Sequence, residues 1–168
     1  MKSSELTPQA TSKTIIYLDM DGVLADFVKG VEGPKFLNGP LDPGTYDDRK
    51  KDLSDQGLFL ELPIMPGMQD LINYVKGTGL YWEILTATGD VNRRRVAADK
   101  YFWIRKNVDP GVLVTCTIKG KHKAVYARED HILIDDRADN INAWIKAGGI
   151  GILHKDAQDT IKKLKLIV

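Results

Sequence analysis

The chain has 168 residues, 43% of them hydrophobic and 28% charged, with a formal net charge of +1. That is the make-up of one ordinary globular domain, and it gives no electrostatic case for nucleic acid or an anionic membrane surface. The lone Cys116 excludes an intramolecular disulfide, and three scattered histidines leave no recognisable zinc cluster. No apolar run nears the ~20 residues of a membrane span. The chain opens on polar residues without an apolar signal core, so residues 1–13 are expected to be a flexible leader and the protein cytoplasmic.

The first element is Ile15-Ile16-Tyr17-Leu18, a short β-rich run that stops at Asp19-Met20-Asp21-Gly22. It reads as a fully buried strand closed by a turn signal. Two carboxylates at the carboxyl end of such a strand are costly to desolvate unless water, a metal or a substrate compensates them. Ligands in open α/β sheets bind at that end. Residues 23–29 begin a helix or a flap. Over residues 30–54 the periodicity weakens, and Gly33-Pro34, Gly39-Pro40 and Asp42-Pro43-Gly44 mark turns. The stretch at about 27–60 is expected to be a small inserted cap, with a disordered surface loop as the alternative.

Met68, Leu71, Ile72 and Val75 fall at i, i+3, i+4 and i+7, one face of a helix that Gly77 and Gly79 stop. Residues 80–86 form a second strand, running into Thr86-Ala87-Thr88-Gly89. Asp90 is the expected N-cap of a helix over 91–107, ended by Asp109-Pro110-Gly111. Tyr101, Phe102 and Trp103 are consecutive there and cannot share a face, so at least one turns outward. The Arg93-Arg94-Arg95 run reads as a solvated face rather than a nucleic-acid surface. Residues 112–115 make a third strand, with Cys116 read as a small core residue. A short helix follows Lys121 and ends before Glu129-Asp130. Residues 131–134 repeat the opening theme, an apolar strand stopping at Asp135-Asp136. Ile141, Trp144 and Ile145 supply the buried stripe of the next helix. Residues 150–153 are a fifth strand and 156–165 a closing helix. Such alternation predicts an α/β fold, a Rossmann-like three-layer sandwich with a mainly parallel five-stranded sheet, in one domain over residues 14–168.

In a parallel sheet these strand ends share one edge, so Asp19, Asp21, Thr86 and Asp135-Asp136 can converge. Carboxylates crowded into one cleft repel strongly. A hard divalent cation is the simplest remedy, and Mg²⁺ fits because it takes one or two carboxylates plus a phosphate rather than a full protein cage. The Thr86 hydroxyl and nearby backbone N–H groups, that of Ala87 included, would then hold phosphoryl oxygens. A lysine, Lys123 or Lys121, would balance the remaining charge. Asp19 is placed to attack phosphorus, and Asp21 to protonate the leaving oxygen and then activate water.

Asp19-Met20-Asp21-Gly22-Val23, Thr86, the lysine and Asp135-Asp136, in that order on predicted strand ends, resemble the four motifs of the haloacid dehalogenase-like (HAD) phosphohydrolases. Within them the chain is similar to the 5'(3')-deoxyribonucleotidases, through residues 19–27, 57–67, 100–105 and 132–137. With the intervening core the likeness covers most of the chain beyond Lys13. The resemblance implies a Mg²⁺-dependent phosphomonoesterase that works through an aspartyl-phosphate on (deoxy)ribonucleoside monophosphates, a 5'-nucleotidase. It implies Asp19 as nucleophile, Asp21 as acid/base, and Phe27 in the pocket that packs on the nucleoside. The magnesium ligands would be Asp19, the Asp21 carbonyl and one of Asp135 and Asp136. Lys123, which opens Lys-Ala-Val-Tyr-Ala, is favoured over Lys121 as the motif lysine. The expected partner is a small phosphomonoester, a nucleotide, with no nucleic acid and no membrane. The insertion is shorter than the family's usual helical cap, which leaves the leaving group open. A sugar phosphate or a nucleic-acid 3'-phosphate is the alternative substrate, and a non-catalytic phosphate-sensing module the alternative role. The intact Asp21 argues against the last.

Overall fold

The computed structural model describes residues 13–168; the expected leader, Lys13 apart, lies outside them. Strands β1 (Ile15–Leu18), β2 (Tyr81–Ala87), β3 (Val114–Thr117), β4 (His131–Asp135) and β5 (Ile150–Leu153) form one sheet in the order β3-β2-β1-β4-β5. Every pairing is parallel. Helices α1 (Phe27–Glu32) and α2 (Pro43–Asp55) fill the insertion after β1. Helices α3 (Met68–Gly77), α4 (Arg93–Asn107), α5 (Ala138–Lys146) and α6 (Ala157–Leu164) complete the chain, with 3₁₀ turns at Leu58–Leu60 and Gly120–Tyr126.

Successive strand residues point to opposite faces, and the core divides accordingly. Ile16, Leu18, Ile84, Ile132 and Ile134 pack with Leu71, Ile72 and Val75 of α3, Ile104 of α4 and Leu164 of α6. Tyr17, Leu85 and Leu133 face the other way, onto Ile141 and Trp144 of α5. The three expected layers follow, and the predicted α3 stripe of Met68, Leu71, Ile72 and Val75 is buried in full. Among the described residues no helix is long and apolar enough to cross a membrane.

The insertion is more helical than its sequence pattern. Asp42 caps α2 by accepting from the Gly44 N–H, and Pro43 opens the helix. Ion pairs Lys51–Asp55 and Arg49–Asp52 lie along it. Only Leu53 and Ser54 of its 13 residues are buried, so no apolar stripe exists for periodicity to detect.

Other boundaries shift. Helix α4 begins at Arg93, and Asn92 rather than Asp90 precedes it, in the left-handed region at φ 53° without a side-chain cap. Strand β3 runs two residues later than expected. Cys116 is exposed, not core, because β3 is an edge strand and this position faces outward. Ile145 is 51% exposed, so α5 buries Asn140, Ile141 and Trp144 instead. Of the three consecutive aromatics, Trp103 is buried and donates to the Leu62 carbonyl at 2.8 Å, while Tyr101 and Phe102 lie outside.

Candidate active site

Register decides which side chains meet. Leu18 lies opposite Ile84 of β2 and Ile134 of β4, so Asp19 leaves the sheet beside Asp135, with Thr86 a short step along β2. The Asp19 N–H donates to the Ile134 carbonyl at 2.9 Å, which ties the two strand ends together. The chain then turns tightly: the N–H groups of Leu24 and Ala25 both donate to the Met20 carbonyl, at 2.8 and 2.9 Å. Gly22 sits at φ +78° in this turn, and a Cβ there would lie 2.2 Å from Asp136 Oδ2. The turn and the close approach of Asp136 both require glycine.

Asp19 Oδ1 accepts from the Met20 N–H and pairs with Lys123 Nζ, each at 2.8 Å, which leaves Oδ2 turned to the cavity. Lys123, 1% exposed, also donates to Asp135 Oδ2 at 2.6 Å. Burial disfavours its ammonium, but the charges of Asp19 and Asp135 outweigh that and hold its pKa above the ordinary lysine value. Lys121 is exposed at the cavity rim, so Lys123 is the lysine the fold brings to the carboxylates. Asp135 is saturated: Asn140 Nδ2 donates to both its oxygens at 3.1 Å and the Arg137 N–H to Oδ1 at 2.9 Å. Donors on both oxygens hold this carboxyl in place, while burial and then the charge of Asp19 raise its pKa against the opposing pull of Lys123. Asp136 instead opens on the cavity. Burial and then the charges of Asp19 and Asp135 push its pKa up to about 7.

Carboxylate oxygens of Asp19, Asp135 and Asp136 lie within 4.8 Å of one another. This all-oxygen set fits a hard divalent cation. With Asp135 committed to Lys123 and Asn140, the oxygens free to hold a cation are those of Asp136 and Asp19 Oδ2.

Asp21 has a different partner. Lys100 of α4, also 1% exposed, pairs with Asp21 Oδ2 at 2.5 Å and donates to Thr86 Oγ1 at 3.0 Å and the Ala87 carbonyl at 2.7 Å. The ring of Phe59 lies 4.9 Å from its ammonium. Asp21 Oδ1 is buried without a hydrogen-bond partner. Burial raises the Asp21 pKa, Lys100 opposes it, and Asp19 adds to it. Thr86 is fully buried beneath Lys100, and the cavity wall beside it is made by Ala87, Thr88 and Gly89.

The cavity above these groups measures about 700 Å³, within the range of small-molecule sites. The insertion supplies its aromatic wall. Phe27 stacks on Phe59, centroids 6.0 Å apart, and meets Tyr46 edge-on at 5.4 Å.

Lys100, Asn140, Tyr46 and Phe59 were not singled out by sequence. Two of them left a signal. Val96, Lys100, Trp103 and Ile104 form the buried stripe of α4, and a lysine within such a stripe is a buried cation that needs a partner. Asn140 stands likewise in the stripe of α5.

No protein-family model matches the sequence, and no curated protein matches it. Solved structures do. A D,D-heptose 1,7-bisphosphate phosphatase from Burkholderia thailandensis superposes with a TM-score of 0.57 at 12% identity, covering 91% of this chain and 99% of that one. A haloacid dehalogenase-like family protein from Streptococcus pneumoniae gives 0.57 at 14% identity, over 83% of each chain. A HAD-superfamily hydrolase from Ehrlichia chaffeensis gives 0.53 at 13% identity, over 94% and 97%. At such identities the likeness is one of architecture, and what it establishes is that this chain has the fold of the HAD-like hydrolases.

Proposed function

We propose that the protein is a Mg²⁺-dependent phosphomonoesterase acting through an aspartyl-phosphate, with nucleoside monophosphates as substrates. The observation that carries this reading is the division of labour between two carboxylates. Asp19 has one oxygen pinned by Lys123 and the Met20 N–H and the other free. Asp21, two residues on, has one oxygen held by Lys100 and the other unpartnered.

In this reading Asp19 Oδ2 attacks phosphorus while its bond to the leaving oxygen breaks, and the protonated Asp21 carboxyl delivers the proton that oxygen needs. Asp21 then takes a proton from water, which attacks the same phosphorus and releases Asp19 and inorganic phosphate. Asp19, Asp136 and the Asp21 carbonyl would hold the cation, and Asp135 acts through Lys123. When bound, the cation neutralises phosphoryl charge and lowers the cost of bringing a dianion to Asp19. In the Ala87–Gly89 segment the Thr88 and Gly89 N–H groups donate to the Thr117 and Ile118 carbonyls, so the Ala87 N–H is the one that would meet a phosphoryl oxygen, with Thr86 supporting it from below. The nucleoside assignment rests on the aromatic wall of Phe27, Tyr46 and Phe59, which offers a flat organic group a place to pack, and on the resemblance to the deoxyribonucleotidases.

Rates across a panel of nucleoside 5'- and 3'-monophosphates, sugar phosphates and p-nitrophenyl phosphate test the reading. Asp19→Asn should reduce turnover of every ester to background while the chain still folds, and EDTA should silence the wild type until Mg²⁺ is returned. Wild-type rates in Asp19→Asn would overturn the nucleophile. Indifference to chelation would remove the metal, and a flat panel the nucleotide.

A further inference from the structure

We propose that Tyr46 is a specificity residue that reads the leaving group, its phenol donating a hydrogen bond to a sugar hydroxyl near the scissile oxygen. The inference rests on the phosphomonoesterase reading of the site and adds the kind of alcohol it is built to release.

Tyr46 is held firmly. It stands in the first turn of α2, its N–H bonded to the Asp42 carbonyl at 2.9 Å, and its ring edge packs on Phe27. Lys50, one turn further on, covers the ring at 5.6 Å while paired with Asp47. The placement of Phe27 follows from the turn after Asp21: the Gly22 N–H bonds to the Ala25 carbonyl at 2.8 Å and Asp21 bridges to Ala25. Phe27, and Tyr46 upon it, are therefore carried onto the side of the cavity where Asp21 stands. Burial, and then the charge of Asp21, push the phenol's pKa up to about 12, so it stays protonated, a donor, throughout the working range.

No described residue hydrogen-bonds the Tyr46 oxygen. Tyr46 is half-buried, not sealed, and lines the cavity wall. A half-buried phenol in an aromatic wall ordinarily finds a polar partner. Phenylalanine would pack on Phe27 equally well; the hydroxyl is what the packing leaves unexplained. With Asp21 as the acid, the alcohol that it protonates departs on Asp21's side of the cavity. A donor on that side discriminates against alcohols that have nothing to accept it.

The test is Tyr46→Phe, assayed for kcat/KM on three groups of ester: a nucleoside 5'-monophosphate and its 2',3'-dideoxy counterpart, ribose 5-phosphate, and phenyl phosphate. The substitution should cost the hydroxyl-bearing esters roughly 3- to 10-fold more than phenyl phosphate, the worth of one neutral hydrogen bond. It should also shrink the wild type's preference for the nucleotide over its dideoxy counterpart by the same factor. An equal loss on all esters, or an unchanged preference, would overturn the role of Tyr46. If ribose 5-phosphate shows the effect and the nucleotides are not turned over, Tyr46 stands and the nucleoside assignment fails. If Asp19→Asn keeps wild-type rates, the phosphomonoesterase reading itself fails.

Discussion

Replacing Lys100 by methionine removes a buried charge while keeping most of the side chain's length, and its consequences can be worked from the contacts. The ammonium loses Asp21 Oδ2, Thr86 Oγ1 and the Ala87 carbonyl at once. Removing one partner of a buried ion pair typically costs about 3–5 kcal/mol, because the other charge is stranded. Asp21 has an escape: its pKa is already raised by burial, and without Lys100 it rises further, so the stranded carboxylate takes up a proton. The expected cost is therefore smaller, about 2–3 kcal/mol, or roughly 4–12 °C in Tm for a chain of this size. The kinetic effect is more diagnostic. If Lys100 fixes the Asp21 carboxyl where it meets the leaving oxygen, its loss should lower kcat about 100-fold or more on an alkyl phosphate, whose leaving group must be protonated. On p-nitrophenyl phosphate, whose leaving group needs no proton, the loss should be about tenfold or less on the same grounds. In an Asp21→Asn background Lys100→Met should add little, as expected for residues acting as one unit. Equal losses on alkyl and aryl esters, or additivity with Asp21→Asn, would refute the positioning role and leave Lys100 a structural cation.

Three further outcomes follow from the same geometry. Gly22→Ala puts a Cβ 2.2 Å from Asp136 Oδ2 and strains a backbone at φ +78°; a Mg²⁺ titration of activity should show at least about tenfold weaker activation, and urea melts a loss of about 1–2 kcal/mol. Asn140→Leu removes both side-chain donations to Asp135 and should cost about 1.5–3 kcal/mol in urea denaturation; an unchanged midpoint would mean Lys123 alone suffices. His154 is buried, its Nδ1 2.7 Å from Thr160 Oγ1, and burial holds its pKa below the ordinary 6.5. The unfolded chain therefore takes up this proton first, so Tm should fall as pH drops below about 6.5, and His154→Asn should flatten that part of the profile.

Much of this molecule was legible one residue at a time, and the losses have particular causes. Burial of Met68, Leu71, Ile72 and Val75 was readable because a helix facing a sheet repeats its apolar side chains every three to four residues. The two pairs of carboxylates stood out because acidic residues rarely close an apolar strand without a ligand. Helix α2 did not stand out: caps and ion pairs hold it together, and neither has a period. Cys116 was misjudged because flanking hydrophobicity does not tell an edge strand from a central one, and only the strand order β3-β2-β1-β4-β5 puts β3 outside.

By itself, then, the sequence determined the alternation of strands and helices, the parallel sheet it requires, and the residue types waiting at the strand ends. Those are local properties, carried by hydrophobic period and by the cost of burying charge. Tertiary structure alone decided how the charges pair. Lys123 goes to Asp19 and Asp135 while Lys100 goes to Asp21, 79 residues away along the chain. Pairing of this kind depends on the register of β1 against its neighbours and on which helix face meets the sheet edge. Both are set by the packing of the whole core, and no stretch of the chain encodes them separately.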